Sequence, residues 1–411
     1  MDRTFFDVHM HAMDLSHPNL RAFVGRIDRL APKLILSEFE APSPGSAGER
    51  LINLLTVMEN NIEDFFLLME YFLKNKAPMP APNGIIKLGD NEFDTILLTP
   101  LIIDFGYKHI KWDTFYNMAL GKPVMHQAVD VLNAIRKYLT HEVILKPGST
   151  QECIAVPRVS PCLFEIYPFL GINPQIHEPG ETTDLLHRYF DGYTGRREYL
   201  RAAMESFAGA IDEVAGNLFA GIKLYPPLGF DPWPEGECDK MAETEELYGF
   251  CESRQIPITA HCSDVGFTVA KEADDYTDPE KWRNVLKYHP GLKLNLAHLG
   301  HQENQLLVIP HHEWRDTIID LILKHNMVYT DISCLAFDED FYKKLDHLLQ
   351  SHASDRDRLS QRILFGSDYM INLMWADSYN EYLDLFIKAT HIGDKEKILF
   401  CNENPARFLF V

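Results

Sequence analysis

Eight short runs of β-branched and aliphatic residues recur along this chain, most of them closed by a polar residue, Gly or Pro and followed by a stretch of helical periodicity. The runs lie at residues 4–9, 95–104, 169–172, 219–225, 257–261, 292–298, 327–332 and 362–368. Runs this short are strand-sized, whereas the stretches at 124–139, 197–215, 240–254, 280–288, 311–325, 340–349 and 377–389 space their apolar positions three and four apart, as helices do. Parallel strands need crossover connections, usually helices. Eight strands with helices between most of them therefore predict an α/β fold of the (β/α)8 TIM-barrel type rather than an open doubly wound sheet.

Such a barrel uses about 250 residues, which leaves roughly 160 of the 411 as elaboration. The surplus falls mainly after strand one and around strand three. Residues 41–48 are a loop by composition, and 49–75 carry a long helical pattern through Leu51, Leu55, Met58, Ile62, Phe66, Met69 and Phe72. That pattern is expected to pack on the barrel and, because it follows strand one, is placed to roof the catalytic face. No internal repeat or interdomain linker stands out, so one barrel domain over 1–411 is expected, with a mainly helical insertion at about 12–94.

Charge narrows the partners. Thirty-nine Lys and Arg against sixty Asp and Glu leave a net charge of −21, which repels nucleic acid and anionic membranes and favours a small-molecule substrate. No apolar stretch has the length of a membrane span, and the opening Met1-Asp2-Arg3-Thr4 lacks the features of a signal peptide. Seven scattered cysteines without a C-x-x-C pair suit a reducing compartment. The expectation is a soluble cytoplasmic protein, with homo-oligomerisation left open.

The first run ends in Phe6-Asp7-Val8-His9-Met10-His11. Two histidines at i and i+2 of a strand point to one side, as two ligands of one ion must. Eighteen histidines would supply about 0.8 His-x-His pairs by chance, so the pair gains weight only from its position at a strand end. Other strand ends carry matching residue types: Lys223, His261, His298 and Asp368. In a parallel barrel those ends converge on one face, where residues far apart in sequence can meet around a metal.

In this order, and with the words Ala297-His298-Leu299-Gly300, Thr330-Asp331-Ile332-Ser333, Phe365-Gly366-Ser367-Asp368 and Glu403-Asn404-Pro405-Ala406-Arg407, the chain resembles the amidohydrolase superfamily. It is most similar to the amidohydrolase-related branch (amidohydrolase 2), which includes metal-dependent decarboxylases. The resemblance implies that His9, His11, His261 and Asp368 bind a divalent metal, most often Zn2+, with Mn2+ or Fe2+ as substitutes. It also implies that Asp368 accepts a proton from the attacking water and that His298 acts as acid or base. In a two-metal site His298 would become a ligand and Lys223 a carbamylated bridge; a free Lys223 would instead pair with a substrate carboxylate. The reaction implied is hydrolysis of a C-N or C-O bond at a carbonyl by metal-activated hydroxide. The alternatives are decarboxylation by a lyase of the same family, or ligand binding without turnover.

Nucleotide-binding, serine-nucleophile and H-E-x-x-H motifs are absent. Cys262 is expected to pack away from His261, His311 and His312 to start a solvated helix, and Trp233 to line the substrate mouth. Arg158 and Tyr225 are weighed as contacts for an acidic substrate but not assigned to the site, since an arginine near a loop more often makes a surface ion pair.

Overall fold

A computed structural model describes residues 3–18, 47–106, 123–150, 152–176, 180–267, 273–302 and 313–410. Its first strand, β1 (Thr4–Met10), is buried along its whole length, including Phe5, Phe6, Val8 and Met10. A strand with no exposed face must lie between two layers of structure. β1 pairs in parallel with β2 (Thr95–Pro100), and β2 with β3, which runs as Phe164–Ile166 and, beyond Tyr167 and Pro168, Phe169–Gly171. The second part of β3 begins a parallel series through β4 (Gly221–Leu224), β5 (Ile258–Ala260), β6 (Leu294–Leu296), β7 (Val328–Asp331) and β8 (Ile363–Leu364). Individual backbone bonds close the circle. Val8 N–H reaches Phe365 O at 3.1 Å and Ser367 N–H reaches His9 O at 3.0 Å. The fold is thus a (β/α)8 TIM barrel, and each of the eight predicted runs contains or overlaps one of its strands.

Close approaches inside the barrel are met by glycine. A Cβ on Gly221 would lie 2.5 Å from the Pro257 carbonyl oxygen and 2.6 Å from the Phe169 ring, so β4 could not sit between its neighbours with a larger residue there. Gly221→Ala should therefore lower stability by about 1–3 kcal/mol, the usual cost of overpacking, as read from the urea midpoint. An unchanged midpoint would show that β4 has room to shift.

Helices pack outside the strands. The helix Val124–Thr140 buries Ala128, Val131, Leu132, Ile135 and Tyr138, a three-and-four spacing that forms one apolar stripe. Tyr379–Lys388 starts at Ser378, whose hydroxyl accepts Glu381 N–H at 3.2 Å, while the Glu381 carboxylate accepts Asp377 N–H at 2.9 Å.

Two helical expectations are corrected. The pattern over 49–75 is not one helix but two, Ala47–Glu59 and Phe65–Asn75. The break is at Asn60 and Asn61: the Asn61 side chain accepts Glu63 N–H at 3.0 Å and caps a new turn rather than continuing the old helix. The expected helix over 197–215 stops at Ser206, short of Gly209, which takes a left-handed φ of 113°. Two antiparallel hairpins were not foreseen, Ile86–Leu88 with Asn91–Phe93 and His141–Leu145 with Cys153–Pro157. The split helical segment does lie beside the ends of β1 and β8, since Leu15 N–H reaches Met58 O at 3.1 Å and the Phe65 and Tyr369 rings are 5.7 Å apart. His311 and His312 fall outside the described residues.

Candidate metal centre

The carboxyl ends of the strands bring the predicted residues to one face. His9 and His11 emerge from β1 with ring centroids 5.6 Å apart. Asp368 follows β8, and its backbone N–H bonds to His9 O at 2.7 Å, which ties the two strand ends together. Its Oδ1 then lies 3.1 Å from His11 Nε2 and 3.6 Å from His9 Nε2. Potential ligand atoms of His9, His11 and Asp368 all lie within 4.8 Å of one another.

His261 does not join this triad. Its Nδ1 faces His298 Nε2 at 3.1 Å, so those two residues form a second group. Lys223 projects from β4 with 1% exposure, and its Nζ has no hydrogen-bond partner among the described residues. The Tyr225 ring packs on His261 at 4.6 Å, and Gly266 is held so close that a Cβ would lie 3.0 Å from His261 Nε2.

Hydrogen bonding decides which ring nitrogens are free. A carbonyl or carboxylate oxygen only accepts, so the nitrogen facing it carries the hydrogen. His11 Nδ1 donates to Leu101 O at 2.8 Å, His261 Nε2 to Val265 O at 2.6 Å, and His298 Nδ1 to Ser333 O at 3.0 Å. His9 Nδ1 donates to Asp331 Oδ2 at 2.9 Å. In the neutral rings the opposite nitrogens are bare and point inward. Thus a lone pair of His11 faces the Asp368 carboxylate, and lone pairs of His261 and His298 face each other. Such pairs repel unless a cation lies between them, which is the chemistry of a metal-ligand set.

Burial keeps the rings of His9, His261 and His298 neutral. It drives the His9 pKa down to about 3 despite the attraction of Asp331, pushes His261 well below its ordinary value, and lowers His298. For Asp368 burial acts upward but is outweighed by the surrounding His9, His11 and His298, leaving the carboxyl well below the usual range. Burial lowers Lys223 to about 8 against the pull of Asp331 and Asp368.

A cavity of about 180 Å³ opens onto the centre, with His261, His298 and Asp368 at its polar end and Val265, Phe337 and Trp375 among its apolar walls. Sequence reasoning assigned no role to Phe337 or Trp375, which lie outside the strands, nor to Asp331, Ser333 and Asn295 beneath the histidines. The words around Asp331 and Ser333 carried the family resemblance, and that was the available signal.

Other expectations are settled by packing. Cys262 is fully buried, with its thiol directed to Thr277 O at 3.4 Å. Trp233 does not line this cavity but stacks on Tyr288, centroids 5.2 Å apart and planes at 5°, because Asp231 Oδ1 accepts its N–H and turns the loop. Arg158 is neither at the cavity nor on the surface: its side chain is 6% exposed, pairs with Glu70 at 3.1 Å and covers the Tyr138 ring. No helix among the described residues is long and apolar enough to cross a membrane.

Residues 175–411 match a family model described as amidohydrolase. Curated proteins give no match. Among solved structures, an uncharacterised TIM-barrel protein from Bordetella bronchiseptica is 15% identical, with 99% of this chain and 98% of that chain covered at a TM-score of 0.47. A 5-carboxyvanillate decarboxylase from Novosphingobium aromaticivorans, complexed with manganese, is 12% identical, with 99% and 96% covered at a TM-score of 0.49. A probable 2-pyrone-4,6-dicarboxylic acid hydrolase from Acinetobacter baumannii is 11% identical, with 98% of each chain covered at 0.43.

Proposed function

The chain belongs to the amidohydrolase family, and on that premise we propose that it is a metal-dependent hydrolase that cleaves a C-N or C-O bond at the carbonyl of a small substrate. The observation that carries this reading is the pair of inward-facing lone pairs on His9 and His11 beside the Asp368 carboxylate. His9, His11, Asp368 and, after a turn of its ring, His261 would hold a divalent ion. Nitrogen and carboxylate donors suit zinc, with manganese or iron as substitutes. Bound there, the ion supplies Lewis acidity to the carbonyl and acidity to the attacking water.

The protein's own groups move the protons. Asp368 reaches the cavity as a carboxylate and can accept a proton from water there. His298 also lines the cavity, and its bare Nε2 can hold that proton and deliver it to the leaving group. Phe337 and Trp375 exclude water and orient the apolar part of the substrate. The pairing of His261 with His298, apart from the triad, favours a second arrangement of the same reading. There the two histidines and a carbamylated Lys223 would hold a second ion, and the amine that becomes the carbamate is one whose neutral form burial already favours.

Protein loaded with zinc and bicarbonate should carry one or two equivalents of metal by elemental analysis. One equivalent with bare Lys223 by mass spectrometry assigns the single-ion arrangement. A chain that binds no divalent ion at neutral pH removes the basis of the reading. A screen of amides, lactones and aromatic acids then separates hydrolysis from decarboxylation by whether carbon dioxide is released.

A further inference from the structure

Beneath the centre, Asp331 at the end of β7 is wholly buried and crowded with donors. Its Oδ1 accepts the backbone N–H groups of His298 at 3.0 Å and Ser333 at 3.1 Å, together with the Ser333 hydroxyl. Its Oδ2 accepts the Asn295 amide at 2.7 Å and His9 Nδ1–H at 2.9 Å. The bond to the His298 backbone also fastens a residue in the left-handed region, with φ of 64°, where non-glycine residues are strained.

Ser333 extends this carboxylate to two rings. Having given its hydrogen to Asp331, Oγ can only accept, and it lies 3.0 Å from both His9 Nδ1 and His298 Nδ1. The Ser333 carbonyl, also 3.0 Å from His298 Nδ1, makes the same demand. Each Nδ1 must therefore carry the hydrogen, and each Nε2 must be bare.

We infer that Asp331 and Ser333 form one positioning unit that locks His9 and His298 in the same Nδ1–H tautomer, setting a metal ligand and a proton-carrying histidine by a single buried carboxylate. This deepens the metal-dependent reading and rests on it for the consequence at the metal, but the tautomers themselves are a property of the metal-free chain. Neither residue touches the cavity, so their effect on chemistry runs through the two rings.

Asp331→Asn is a sharp probe because an amide cannot accept at both ends. Its NH2 must face either two backbone N–H groups, which cannot change, or His9 and Asn295, which can. The second arrangement makes the amide donate to His9 Nδ1 and moves the imidazole hydrogen to Nε2, the nitrogen that faces Asp368. A ligand with a hydrogen on its donor atom must lose it to bind metal.

The test is nitrogen NMR of the full-length, metal-free protein labelled at histidine, combined with zinc titration against a competing chelator. The wild type should show His9 and His298 as Nδ1–H tautomers. Asp331→Asn should convert His9 to the Nε2–H form and weaken zinc binding by about 10- to 100-fold, the range for loss of a partner that orients a ligand. Ser333→Ala removes the acceptor shared by the two rings, and should leave both tautomers in place through Asp331 and the main-chain carbonyl of residue 333 while weakening zinc binding by less than Asp331→Asn does; zinc affinity equal to wild type removes Ser333 from the unit. A wild-type His9 or His298 in the Nε2–H form overturns the inference without any variant. So does an Asp331→Asn protein that keeps both the His9 tautomer and the zinc affinity. If no form binds zinc, the metal reading fails, while the tautomer spectra still decide the role of Asp331.

Discussion

Asp368→Asn should fold, retain a bound metal and lose about 10²–10⁴-fold in kcat, the contribution typical of a positioned general base. The side chain sits at a φ of 57°, and asparagine is among the residues that tolerate that left-handed conformation, so the backbone after β8 has no reason to rearrange. The N–H bond from this position to His9 O belongs to the main chain and survives the change. What changes is the chemistry of one atom pair. The amide oxygen can still face an ion beside His9 and His11, but it cannot take a proton from water. The loss should therefore fall on kcat with little change in KM, the pattern of a group used in the transition state. Stopped assays on a hydrolysed substrate, beside metal analysis of the same preparation, check the split. Near-native turnover with metal bound would place the base elsewhere, and His298, which also reaches the cavity, becomes the next residue to test.

The barrel was legible because each strand is short, apolar on both faces and punctuated. Residues 4–9 read as a strand and the chain forms Thr4–Met10; residues 219–225 read as a strand and the ladder is Gly221–Leu224. Strand-end chemistry was legible for the same reason, since a His, Lys or Asp that ends a barrel strand faces the common rim. What spacing does not carry is the torsion of a side chain. His261 ends β5 as expected, yet its ring turns to Val265 O and His298 rather than to His9 and His11. Asp331 was legible only as part of the word Thr330-Asp331-Ile332-Ser333, with no role attached to it. An aspartate at the end of a strand shows nothing of its partners in its own sequence neighbourhood, since His9 and Asn295 come from β1 and β6, which only closure of the barrel brings alongside. The split of the 49–75 helix is different, for Asn60-Asn61 was a readable break that the strong apolar pattern overrode.

Replacing Lys223 by methionine should make the metal-free protein more stable at pH 7 by about 3 kcal/mol while removing any turnover that depends on the amine. The ammonium is buried with no hydrogen-bond partner among the described residues, and burial lowers its pKa from 10.5 to about 8. Below about pH 8 the folded and the unfolded chain both carry the proton, so the folded state bears the full cost of the buried charge, about 1.4 kcal/mol per pH unit of that interval. Between about 8 and 10.5 the folded chain has released the proton and the unfolded chain retains it, so wild-type stability rises with pH across that window. Methionine fills a similar volume without charge. Its advantage should be greatest at pH 7 and gone by about pH 10.5, a convergence that urea melts in the presence of a chelator would read directly. A variant no more stable than wild type at pH 7 would mean that the ammonium is well solvated or paired in solution. A variant that is more stable but inactive would show a buried amine kept for chemistry at the expense of stability, as strained and desolvated groups in active sites commonly are.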